Sequence, residues 1–170
     1  MFALEPKFNS VRELMERDAL APQPDGEFDD QLWLLLARRI KEPRDLGRFP
    51  SEIGVYYASR YLQWEVGNGG FAQAAFNIPE WFTAAATGYE VLGKAKSAAL
   101  IRRAITFLPR ERLESEDKGL FRAAIGRVFE HFTESRMARL DNQVESDDWY
   151  VDADRVKFVR LHRPPFASFD

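Results

Sequence analysis

The sequence predicts an all-α fold: a single compact domain of roughly seven to nine helices. Three observations predict it. Apolar residues recur at helical spacing in almost every stretch between breakers. Proline and glycine fall in short clusters that separate those stretches rather than inside them. No two neighbouring stretches alternate in the manner of a strand pair, and VKFVRL is the one segment whose alternation also admits a strand. A chain of 170 residues suits one domain, with enough interior to need no cross-links.

The elements follow in order. Ser10 and Glu13 have capping-box spacing, and Val11, Leu14 and Met15 carry a helical stripe to about Leu20. The loop APQPDGEF follows. Asp29 or Asp30 is placed to cap QLWLLLARRIK, whose apolar residues Leu32, Leu35, Leu36 and Ile40 are broadened by Trp33 and Leu34. After the loop EPRDLGRFP, Ser51 opens a helix with Ile53, Tyr56, Tyr57, Tyr61 and Trp64 on one broad face, and Gly67 is the expected C-cap. A short helix spans Gly70 to Phe76. Pro79 and Glu80 suit the first turn of the next helix, which runs to Gly93. Lys94 to Leu108 forms another, stopped by Pro109. Asp117 to His131 and a segment from Thr133 through Met137 and Leu140 are read as helices. ESDDWYVDAD is read as a loop, Asp152 or Asp154 as the cap of a last helix RVKFVRLH, and RPPFASFD (163–170) as an extended tail.

Composition excludes several functions. The chain has no cysteine, which removes disulfides, thiol nucleophiles and thiolate metal sites and fits a reducing compartment. A net charge of -3 offers no positive field for direct nucleic-acid binding or for anionic lipid. MFALEPKF lacks the basic and apolar regions of a secretory signal, and no window approaches the ~20 apolar residues that span a bilayer. The expected location is cytoplasmic, with no membrane partner.

The stretch EVGNGGFAQAAFN, Glu65 to Asn77, interrupts a good helical pattern and restarts it at once. Asn68, Gly69 and Gly70 accept positive φ at little cost, so a sharp reversal is easy there. Glu65, in the last turn before the break, faces the negative end of its own helix. A chain folded back at the glycines lets its carboxylate accept from the amides that start the next helix. Gln73 and Asn77 add polar groups at helical spacing, and Trp64, Phe71, Phe76 and Trp81 can shield them. Such a network is either a corner whose polar groups satisfy one another or a pocket in which Glu65, Asn68, Gln73 and Asn77 meet a ligand. The glycines match neither the P-loop nor the dinucleotide fingerprint, because no strand precedes them and no lysine follows.

This stretch resembles the signature E-V-x-N-G-G-F-x-Q of a mostly bacterial domain of unknown function, the DNA-mimic-protein-like domain. YEVLGKAKSAALIRRAITFLP, Tyr89 to Pro109, is similar to the second block of that family, with Lys94 where alanine is usual. LDNQVESDDWY is similar to a later block. The resemblance covers about residues 29–162. It implies an all-α fold and, in some members, a homodimer, and it implies no catalytic residues. It supports a shared role for Glu65, Asn68, Gly69, Gly70, Phe71, Gln73 and Asn77. Ala74 and Ala75 depart from the pattern, which leaves either extra room beside Phe76 or a closer helix contact.

Other constellations carry less chemistry. His131 and His162 fall near helix ends, where a cation is favoured, and no HExxH or ExxH spacing accompanies them, so no metal site or cofactor is expected. No GxSxG surrounds a serine. The pairs Glu114/Glu116 and Asp147/Asp148 read as solvated charge. Glu145, Asp147, Asp148, Asp152 and Asp154 could present an acidic row, a decoy for a nucleic-acid-binding protein. The tail offers Phe166 and Phe169 as anchors for its own domain or for a second copy. The reading that follows is a non-enzymatic protein-binding or regulatory domain. A small-ligand or enzyme pocket at the corner and an acidic DNA-mimic decoy are the alternatives.

Overall fold

Ser10 starts the first helix as its side chain requires. Its Oγ accepts from the Glu13 amide at 3.1 Å, and the Glu13 carboxylate reaches back to the Asn9 amide at 3.0 Å. The computed structural model describes residues 6–108, 134–144 and 146–169. The described elements are α1 (Val11–Leu20), α2 (Asp25–Leu36), a 3₁₀ turn (Pro43–Arg48), α3 (Ser51–Asn77), a 3₁₀ turn (Pro79–Trp81), α4 (Phe82–Val91), α5 (Ala95–Ile105), α6 (Glu134–Asp141), α7 (Ser146–Trp149), α8 (Asp152–Leu161) and α9 (Arg163–Ala167). The fold is all-α, with no strand among the described residues; VKFVRL is helix. No helix among them is long and apolar enough to cross a membrane. The helix expected at Asp117–His131, with His131, Glu114 and Glu116, lies outside the described residues.

The chain forms two compact units, residues 1–57 with 151–170 and residues 58–150. In the first, α1 packs on α2 and α9, and α8 packs on α2 and α9. Val11, Leu14 and Met15 are buried as their spacing predicts, with Phe28, Leu32 and Leu36 from α2. α2 begins earlier than expected, at Asp25, so Asp29 is not its cap. Asp29 is instead a buried helical residue whose carboxylate lies 3.9 Å from the fully buried Arg155, which also pairs with Asp152. The tail is not extended. Two prolines sit in the first turn of α9, where their missing amides cost nothing. Phe166 and Phe169 both turn inward: Phe166 meets Tyr56 edge-on, and Phe169 lies against Phe49 with centroids 4.4 Å apart. His162 caps the end of α8 as expected, its Nδ1 2.8 Å from the Phe158 carbonyl.

A charged clamp closes this unit. Asp18 is fully buried and accepts from Arg160 at 3.0 Å through both oxygens, from Arg163 at 2.9 Å and from the Gln23 amide at 3.0 Å. Arg160 also donates to Asp25 at 2.7 Å and lies over the Phe28 ring. Burial pushes the Asp18 carboxyl up, but the two guanidinium groups and the amide outweigh it, and the net displacement is downward.

In the second unit α4 and α5 pack closely on each other across a turn at Gly93. α5 has no side-chain cap of its own, since Lys94 stands at its N-cap. ESDDWYVDAD is not the expected loop: α7 and the start of α8 occupy it.

A carboxyl held below its ordinary value stabilises the fold fully above the unfolded pKa of about 4 and progressively less as pH falls below it. Asp18→Asn is therefore expected to cost about 3–5 kcal/mol at neutral pH, because it strips a buried pair of its charge. Urea melts at several pH values check this: the wild type should lose stability on acidification below the carboxylate range, and the variant should lose less.

The diglycine corner as candidate functional site

α3 is two helical segments joined at a break. Gly69 (φ −167°, ψ 24°) and Gly70 (φ 76°, ψ −179°) leave helical geometry, and residues 71–77 resume it. Gly67 is helical and not the expected cap. The left-handed φ falls on Gly70, where a side chain would be strained. A Cβ there would also meet the Asp141 carboxylate, at 2.5 Å from Oδ2. Gly70 is thus required by conformation and by space together.

Two carboxylates hold the break. The amide of Phe71, which begins the second segment, donates to Asp141 Oδ1 at 2.8 Å. The expected acceptor was Glu65. Asp141 lies 70 residues downstream at the end of α6, and its charge sits at the positive end of the second segment. Glu65 acts on side chains instead: it accepts from Asn77 Nδ2 at 2.8 Å and, at a longer 3.5 Å, from Gln73 Nε2. It still clasps the second segment to the first, and it is 4 % exposed. Burial, and then the Glu65 and Glu80 carboxylates, push the nearby Tyr61 phenol above its ordinary range.

The structure therefore brings Glu65, Gln73 and Asn77 together, and places Gly69 under the Gln73 side chain. Asn68 is exposed and stands outside this clasp. Phe71 is fully buried, its ring 5.2 Å from Trp149 and 6.3 Å from Phe82, and burial of such a ring contributes about 1.5–3 kcal/mol. Trp81 is buried too, but Trp64 and Phe76 are exposed rather than covering the polar groups. Ala74 and Ala75 are fully buried, which fits a closer contact rather than an open space.

The segment that supplies Asp141 also caps α5. Asp148 accepts from the Ser97 amide at 2.6 Å, and Ser97 Oγ donates to the Asp148 carbonyl at 2.9 Å. The Tyr89 hydroxyl donates to the Trp149 carbonyl at 2.9 Å, with the two rings stacked. Sequence reasoning missed Asp141 altogether. Its one signal was indirect: a helix start at Phe71 preceded by two glycines has no local cap. In the acidic row, Asp148 belongs to this unit, Asp152 and Asp154 to the other, and the side chains of Glu145 and Asp147 lie outside the described residues.

Two glycines three positions apart should respond oppositely. Gly67→Ala places a Cβ in open space in a helix and should stabilise by about 1 kcal/mol, raising Tm by about 2–4 °C. Gly70→Ala should cost at least about 2 kcal/mol, through its positive φ and the crowding of Asp141. Glu65→Ala should lower stability by about 1–3 kcal/mol by leaving two amide side chains without their acceptor. Thermal and denaturant melts of the three variants give all of these values.

Comparison with known proteins adds a family. No curated protein and no solved structure matches the chain. Residues 47–162 match the DMP19-like protein family, a span that contains the corner, Asp141 and Asp148 and leaves out α1, α2 and Asp18. Since that match covers more than half of its length, the chain belongs to the DMP19-like protein family.

Proposed function

We propose that the protein is a non-enzymatic, protein-binding helical domain that acts by contact with a partner protein. One observation carries this reading. At the corner the polar side chains face one another, while an aromatic ring next to them in sequence faces solvent. Glu65 is 4 % exposed with its carboxylate engaged, and the adjacent Trp64 is 52 % exposed. Tryptophan on a surface is the side chain that most often anchors a protein contact. A small-ligand or enzyme reading would need Glu65, Asn68, Gln73 and Asn77 turned toward a substrate, and the closed clasp gives it less support. The cysteine-free composition fits action in the cytoplasm.

The acidic decoy is the second reading, and family membership favours it. Charge geometry favours it less. Asp148 is engaged by the Ser97 amide, Asp152 by Arg155, and the net charge is only -3.

The test is capture from a native lysate on the immobilised full chain, beside Trp64→Ala. The expected result is a retained protein whose recovery falls about tenfold on the variant, with Tm unchanged. Equal recovery on both overturns the reading. Recovery that disappears in high salt and with Asp148→Asn, but not with Trp64→Ala, selects the decoy.

A further inference from the structure

The break in α3 opens onto a cleft of about 360 Å³ whose lining includes Gly67, Gly70, Asp141, Val144, Trp149 and Tyr150, all within the second unit. Among the described residues, the one formally charged residue in its lining is Asp141. One oxygen of that carboxylate accepts from the Phe71 amide, and a carboxylate has lone pairs for further donors. The first segment of α3 ends at this cleft with the negative end of its dipole and the second begins there with its positive end, so the two offset and the Asp141 charge sets the sign of the potential. Two aromatic residues complete the wall. Trp149 is 1 % exposed, its ring held in the core against Tyr89 and Phe71, so the accessible ring is that of Tyr150, 56 % exposed. A carboxylate beside an accessible aromatic ring attracts a cation and repels an anion.

Gly67 supplies an independent observation. It is helical, has no positive φ, and a Cβ built on it meets nothing within 4 Å. Neither the backbone nor the packing of this chain requires glycine there. Gly67 is one of the residues that line the cleft.

We propose that the cleft is the docking site for a cationic side chain, arginine above all, carried by the partner protein. The guanidinium meets Asp141, and its stem lies along Val144 and Tyr150. Arginine suits the site better than lysine because its planar group can pair with a carboxylate and lie on a ring at once. This assignment names the chemistry of the partner and rests on the protein-binding reading above.

The test uses the full chain and two short peptides, acetyl-Gly-Arg-Gly-amide and the same peptide with citrulline, which keeps the shape and removes the charge. NMR titration is expected to move the Tyr150 ring signals with the arginine peptide and at least about tenfold more weakly with citrulline. Asp141→Asn should weaken the arginine peptide by about tenfold. Gly67→Leu adds bulk to the cleft lining at a position where a Cβ meets nothing within 4 Å, so it should weaken binding by at least about tenfold with Tm maintained, and it covers the case in which Asp141→Asn fails to fold. Equal binding of the two peptides, or undiminished binding by Gly67→Leu, overturns the assignment. Saturable binding of spermidine with none of the arginine peptide makes this a free-amine site and also overturns it. A partner that is retained by the wild type and by Gly67→Leu, yet lost with Trp64→Ala, keeps the binding function while refuting this cleft as its anchor.

Discussion

The hydrogen bond from the Phe71 amide to Asp141 is the contact on which the second unit turns. A helix cannot start without leaving amides unpaired, and the residues before Phe71 are glycines with no side chain to offer. Asp141 supplies the acceptor from a helix far along the chain. In doing so it fixes the end of α6 against the break in α3, and it dictates that position 70 be glycine. Phe71 then points into the core between Phe82 and Trp149. Removing the carboxylate would disturb the cap, the hinge and the aromatic cluster together.

The same device recurs once more. α5 also starts without a local cap, and Asp148 comes from the same downstream segment to accept the Ser97 amide. Two carboxylates seven positions apart thus stitch residues 141–149 onto the starts of two helices. Each stitch is a charge placed at the positive end of a helix, a favourable arrangement of about 0.3–2 kcal/mol. In the first unit the acid is also turned inward, as Asp18 is gripped by Arg160 and Arg163. At Asp18, Glu65, Asp141 and Asp148, acidity that composition reports as surface charge is therefore internal architecture. That weighs on any function argued from acidic residues alone. Asp141 and Asp148 each cap a helix and line an open cleft at once.

Periodicity and breakers carried most of the fold. The Ser10 cap, the helix from Ser51, the break at the glycines and the inward faces of α5 and α6 all follow from local patterns, because each depends on residues within one or two turns. The same reasoning went astray where distant groups compete with local preference. Asp29 has the chemistry of a cap, yet it is buried near Arg155. RPPFASFD has the composition of an extended tail, yet it is helical, because burial of Phe166 and Phe169 outweighs the stiffness of its prolines. ESDDWY is polar enough for a loop, but Trp149 anchors it in the core.

The clasp shows the division most clearly. From the sequence alone came an all-helical chain, a reversal at Gly69 and Gly70, and a polar group made of Glu65, Gln73 and Asn77, because those residues are close along one chain and their spacing settles which faces meet. Tertiary structure alone decided which acid caps which amide. Asp141 and Phe71 have no shared pattern by which to be paired, and the choice is made by the packing of α6, a matter of three-dimensional distance that no local period encodes.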